Sequence, residues 1–152
     1  MSSQMQTETK ITRVLNAVTA GTTNQNTAGV DMSTDGGWET VEFVPLFGAL
    51  TANQVTKVKA QQSSDDASTD DYSDLTGTLT AALADGDTNK IARVEVARPA
   101  KKWVRGVVVR GTANAVIDGV LAIQRRARKV PISQSSTVAV VKSVAGVAEG
   151  TA

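Results

Sequence analysis

The 152-residue sequence contains no cysteine and no histidine. Without cysteine there is no disulfide, no thiolate metal site and no thiol nucleophile. Without histidine the commonest general base, metal ligand and pH switch are missing. An enzyme built from what remains would need a carboxylate pair, an activated lysine or a phosphate cradle. Aromatic residues are also scarce, with two Trp, one Tyr and two Phe. The core must therefore come mainly from Val, Leu, Ile and Ala. Such side chains suit two sheets packed face to face about 10 Å apart. No apolar run approaches the roughly 20 residues of a membrane span. Met1 to Lys10 is polar, with no apolar stretch behind a basic start, so no export signal is read. The chain is expected to be made and kept soluble in a cytoplasm, or to assemble from there.

Catalytic motifs are missing as well. The sequence has no G-x-x-x-x-G-K-S/T, no G-x-G-x-x-G and no G-x-S-x-G, so phosphate cradles and a nucleophile elbow find no support. Asp65, Asp66, Asp70, Asp71 and Asp74 crowd one stretch, but without the central Gly and distal Glu of a calcium loop. That stretch reads as a solvated hairpin loop. Glu39 and Glu42 fall on opposite faces of one strand and do not form a glycosidase pair. The expectation is no catalysis, no metal and no cofactor.

What the sequence does hold is strand-like segments and an uneven charge. A chain of this length can bury roughly 70% of its unfolded surface, and it fits one domain. Residues 1–97 carry six Lys/Arg against thirteen Asp/Glu, a balance of −7. Residues 98–152 carry ten against two, a balance of +8. Such asymmetry suggests an acidic face meeting a basic one, unless the halves interleave in one sheet and the charges mix.

Residues 10–18 fit a helix or a strand by periodicity, since Ile11, Val14, Leu15 and Val18 match a helical stripe, but no cap of the Ser-x-x-Glu kind precedes them and strand is the reading taken. Strands are also expected at 29–32, 38–47, 55–62, 75–83 and 90–96. A hairpin over 101–124 should turn at Gly111 to Asn114, and a further strand is possible at 137–141. Turns at Asp35-Gly36-Gly37, Asp85-Gly86-Asp87 and Arg98-Pro99-Ala100 separate them. Seven or eight short strands so spaced are the pattern of an all-β sandwich or barrel. Pro45 cannot donate to a ladder, so its strand should lie at an edge or bulge there. Ser63 to Asp74 should be a polar loop. Trp38 and Trp103, each at a strand start, read as core plugs closing the sandwich ends, or as exposed anchors.

Arg125, Arg126, Arg128 and Lys129 follow the last apolar strand, with Arg105 and Arg110 upstream among Arg98, Lys101 and Lys102. Nucleic acid would want stacking aromatics between the cations, and only Trp103 is available. Arginine's planar fork pairs with carboxylates and favours protein interfaces. Arg105, Arg110, Arg125, Arg126, Arg128 and Lys129 are therefore the candidate protein-interface residues.

The order of these landmarks is K-I-T-R-V-L-N-A-V, G-W-E-T-V-E-F-V-P-L-F-G and V-T-K-V-K-A-Q-Q-S-S-D-D-A-S. Then follow D-G-D-T-N-K, R-P-A-K-K-W-V-R-G-V-V-V and R-R-A-R-K-V-P. Over residues 10–131 this order resembles the small head-decoration, or cement, proteins of tailed bacteriophages. The resemblance implies a jelly-roll-like antiparallel β-sandwich over 10–131, with extended N- and C-terminal arms at 1–9 and 132–152. It implies a structural virion protein that binds the outer capsid surface. Its partners would be the major capsid protein and copies of itself, commonly as a trimer. From the residues themselves no membrane partner is expected, and nucleic acid ranks last behind protein contact and ordinary solvated surface. The alternatives are a phage spike, fibre or neck protein, and a carbohydrate-binding jelly-roll module.

Overall fold

The computed structural model describes residues 5–143 and 149–150. A single turn of helix, α1 (Met5–Glu8), leads into β1 (Lys10–Leu15), β2 (Val18–Gly21), β3 (Gln25–Asn26) and β4 (Val30–Asp31). A 3-10 turn at Thr34–Gly36 precedes β5 (Trp38–Leu50), β6 (Lys57–Ser63) and β7 (Ser73–Asp74). The chain closes with β8 (Val94–Ala97), β9 (Trp103–Val109) and β10 (Ala115–Ala127). The protein is an all-β sandwich of two antiparallel sheets. One has the order β1-β10-β5-β8, with β2 also on β10. The other has the order β3-β9-β6-β7, with β4 also on β9.

The pairing has a simple logic. β1 pairs with β10, β3 with β9, β5 with β8 and β6 with β7, all antiparallel. The chain is thus one long hairpin with its tip between β6 and β7, rolled so that β1, β2, β5, β8 and β10 fall in one sheet and β3, β4, β6, β7 and β9 in the other. Alternation along each strand sends one set of side chains inward. Val41 and Phe43 of β5 face Val104 and Val108 of β9 within one apolar core. Phe43 is fully buried. It packs on Gly106, where an added Cβ would lie 3.1 Å from its ring.

Several expectations are corrected. The segment 101–124 is not a hairpin: β9 lies in one sheet and β10 in the other. Apolar alternation and a turn make two consecutive strands, but they do not fix which sheet each joins. Here residues 110–114 cross between sheets, held by Arg110.

Pro45 is not on an edge, because β5 lies between β10 and β8. Its carbonyl accepts from Ala92 N at 3.1 Å, so its nitrogen faces the side where regular pairing with β8 has ended at Phe43 and Val94. The register shift in this region lies between Ile117 and Gly119 of the partner strand.

The segment 75–83 is not a strand: it opens on a turn at 76–77, and the rest runs beside β6 without regular pairing. Thr80 N and Leu83 N donate to Val58 O and Thr56 O, each at 2.9 Å. In return, Val58 N and Ala60 N donate to the hydroxyls of Thr80 and Thr78, each at 3.0 Å. Threonine side chains stand in for backbone carbonyls. Residues 137–141 also form no strand.

The two arms are docked where they are described. Ile132 is buried in the core cluster, and its N–H donates to Thr7 O at 3.1 Å. Gln134 donates to Gln6 O and Thr9 O. The outer edge of β1 is capped by side chains, with Ile11 N on Gln134 Oε1 and Arg13 N on Thr137 Oγ1. Such capping blocks edge-to-edge pairing. The far ends of both expected arms lie outside the described residues.

Candidate functional site

Three separate segments meet at one end of the sandwich. The turn between β4 and β5 is tightened by Asp31, whose Oδ1 accepts from Ser33 N at 2.8 Å and Ser33 Oγ at 2.6 Å. Asp35, Gly36 and Gly37 follow at φ of 51°, 77° and 108°. The end of β10 is stitched to this turn by Arg128 N on Gly37 O (2.9 Å) and Lys129 N on Asp35 O (3.0 Å). The β8–β9 turn joins them through Arg98 N on Glu39 O (2.8 Å) and Met32 N on Lys102 O (2.9 Å).

Between these segments lies an open cleft of about 770 Å³. Its lining includes Arg98, Lys101, Lys102, Arg126 and Arg128, with Glu39 as the one acidic side chain. Trp38 also lines it, though only 6% exposed, and its indole N–H is taken by Thr34 Oγ1 at 3.0 Å.

Glu39 is the electrostatic centre of the cleft. Its carboxylate contacts Arg98 Nη2 at 3.1 Å and Arg126 Nη1 at 3.4 Å. The hydrogen bond from Arg98, helped by Arg126, holds it below the usual carboxylate range. Both arginines sit in the left-handed region, at φ of 49° and 57°, where a side chain with a Cβ is strained. Lys102 reaches Asp31 at 3.5 Å, and Lys101 reaches Asp70 at 2.7 Å. Lys101, followed by the N–H and hydroxyl of Ser64, pulls Asp70 down to about 2. Arg128 is exposed, and among the described residues it has no ion pair.

Only part of the expected interface set converges here. Arg126 and Arg128 line the cleft, and Lys129 is stitched beside it. Arg125 lies instead on the outer face of the first sheet. There it pairs with Glu42 at 2.7 Å and Glu95 at 3.3 Å. Arg93 holds the other oxygen of Glu42. That carboxylate is 2% exposed and is held below its ordinary range, first by the Arg93 hydrogen bond.

Arg105 lies on the outer face of the second sheet. It donates to Gln61 Oε1 at 2.8 Å, and its guanidinium sits 4.1 Å from the centre of the Tyr72 ring. Arg110 is no surface residue at all. It is 7% exposed, and its guanidinium donates to Thr23 O at 2.7 Å, Thr19 O at 3.1 Å and Ala115 O at 2.7 Å. Desolvation lowers its pKa. Its partners are carbonyls of the chain itself, so it cannot meet a partner protein.

Arg98, Lys101 and Lys102 are cleft residues that stood only as neighbours of the candidate set. The signal for them was the R-P-A-K-K turn, which places three cations on one connection. Nothing in the sequence shows that Glu39 would lie between two of these segments.

The acidic stretch 65–74 is tied to its own loop and to cations and amides beside it. Asp65 accepts from the N–H groups of Ser68, Thr69 and Asp70 at 2.8–3.1 Å. Tyr72 donates its hydroxyl to Asp66 at 2.5 Å, and Lys59 and Gln61 hold Asp74. Among the described residues no group of three or more acidic side chains is placed to hold a metal ion. No helix there is long and apolar enough to cross a membrane. Of the two tryptophans, Trp38 is a core residue, while Trp103 is half-buried with Lys102 Nζ 5.5 Å from its ring centre.

No protein-family model matches the chain, and the comparisons with curated proteins and with solved structures find no significant match.

Proposed function

We propose that this chain is a structural virion protein that coats the outer surface of a tailed-phage capsid. The observation that carries the reading is the basic cleft. Five cations from two of the three segments, the β8–β9 turn and the end of β10, collect at one end of the fold, where the described residues offer no nucleophile–base pair. Such an end suits attachment to a protein surface rather than turnover. The landmark order over 10–131 is what points to a phage head. The rolled-hairpin order, with β1 beside β10 and the chain passing repeatedly between the two sheets, supports the jelly-roll form of the sandwich.

The mechanism would be mass action. A subunit that binds only the assembled lattice stabilises it by RT ln(1 + [L]/Kd), about 2.7 kcal/mol per site at a hundredfold excess over Kd. Attachment across capsomer boundaries would resist internal DNA pressure. The test is to strip the chain from particles of the phage that encodes it. A stoichiometric loss from the head, with heads then opening at lower temperature, is expected. Heads that neither carry the chain nor weaken without it would reject the reading.

One observation favours a second reading. Trp103 is half-buried on the outer face of the second sheet, where its ring could take a sugar; Tyr72 nearby is covered by the Arg105 guanidinium and leaves Trp103 to carry the contact. Glycan-array binding abolished by Trp103→Ala would move the assignment to a carbohydrate-binding module.

A further inference from the structure

We infer that the basic cleft is a docking site for an acidic peptide segment of a partner protein, and that Glu39 occupies in the free chain the place a partner carboxylate takes on binding. The inference deepens the capsid reading, on which it rests only for the identity of the partner.

Three observations converge on it. The lining side chains hold five cations against Glu39 alone. Counting Asp31 and Asp70, which pair with Lys102 and Lys101 from outside the lining, five cations still face three carboxylates. Arg98 and Arg126 both point at one carboxylate, so without it two guanidiniums would stand close together with no anion between them. Both are also held at positive φ, a backbone cost borne at sites where geometry matters. Arg128, exposed and without an ion pair among the described residues, supplies the third fork.

A carboxylate is the better fit than a nucleic acid. The arginines already demonstrate carboxylate geometry, and the planar fork takes such groups in bidentate fashion. Single-stranded nucleic acid is held by stacked bases as well as charge. The tryptophan in this cleft is buried, with its N–H already used. A surplus of two to four positive charges suits a short acidic segment and falls below the roughly 6–10 phosphate contacts of strong DNA binders.

The test uses the full chain and a fluorescein-labelled hexaglutamate peptide, read by fluorescence anisotropy at low salt and at 0.5 M salt. Binding is expected at low salt and lost at high salt, with a hexalysine peptide inert. Arg128→Ala should weaken it roughly fivefold, and Lys57→Ala, outside the cleft, should leave it unchanged. The distinctive outcome is Glu39→Gln. Removing the resident anion should tighten hexaglutamate binding roughly threefold, whereas a merely structural Glu39 would weaken it.

Thermal melts of both cleft variants set the temperature for the titrations. If Glu39→Gln does not fold, Arg128→Ala decides alone. Absent binding, an unaffected Arg128→Ala, or tighter binding of a ten-residue oligothymidylate overturns the inference. The two failures are separable. Hexaglutamate binding is a property of the isolated chain, so its absence removes the cleft whatever the chain coats. A chain that binds the peptide but coats no particle keeps the cleft and loses the capsid.

Discussion

Arg110 shows how far a single side chain can depart from what its type suggests. In sequence it is one more cation in a basic half. In the fold it replaces a hydrogen-bonding network at the point where the chain leaves one sheet for the other. Its guanidinium binds carbonyls of residues 19, 23 and 115, and its own N–H donates to Asn24 Oδ1 at 2.9 Å. Carbonyls covered by a buried side chain need donors; Arg110 is 7% exposed, and arginine brings five donors in a fixed plane. Arg110→Met keeps much of the volume and leaves three carbonyls short of a donor. A loss of roughly 2–4 kcal/mol is expected, read as a lower urea midpoint with an unchanged slope. A midpoint within error of the parent would show that water replaces the guanidinium.

At the scale of elements, much of the fold was legible. β1, β5, β6 and β8 lie close to the expected segments, because their alternation is strong and Gly/Asp turns bound them. The misreadings have physical causes. Periodicity in 75–83 reports an extended chain, but with Thr hydroxyls taking the acceptor role the segment hydrogen-bonds to β6 without becoming a strand. That arrangement is testable. Thr78→Val and Thr80→Val each delete the acceptor for one buried backbone N–H. Each should cost about 1–2 kcal/mol, and hydrogen exchange of the Ala60 and Val58 amides respectively should accelerate. Thr76→Val, on the exposed face of the same segment, should lie within roughly ±0.5 kcal/mol of the parent. Unaltered protection of both amides would mean that the hydroxyls are bystanders.

For the whole molecule, charge asymmetry along the chain did not become an acidic face and a basic one. Strands of the two halves interleave in both sheets, so Arg125 meets Glu42 and Glu95, and Lys101 meets Asp70. What survives is the cleft, built from turns whose meeting no local pattern encodes. The ion pairs also set a pH response. Glu39, Glu42, Asp65, Asp70, Asp74 and Asp87 are all held below their ordinary values, chiefly by hydrogen bonds from cations or hydroxyls. A carboxyl with a lower pKa folded than unfolded favours the native state above its unfolded value and loses that support as pH falls. The melting temperature should therefore be level between pH 6 and 8, where a chain without histidine has little to titrate. It should begin to fall near the ordinary glutamate value of 4.5 and continue down to about 2, where Asp70 takes its proton. A melting temperature constant from pH 7 to 3 would show that these pairs contribute nothing.

The pairing of first strand with last carries a consequence for the order of events during synthesis. β10 lies between β1 and β5, so an inner strand of the first sheet is the last of the described strands to leave the ribosome. Until residue 127 has emerged, β1 and β5 have no ladder joining them, and the buried side chains of β5 have no completed sheet behind them. Translation can release helices and hairpins to fold as they appear. A rolled hairpin closed by its final strand must instead wait for nearly its whole length and then assemble by long-range contacts, which places it among the slower, millisecond-to-second folders. For that interval the nascent chain exposes strand edges and valines that the folded sandwich hides.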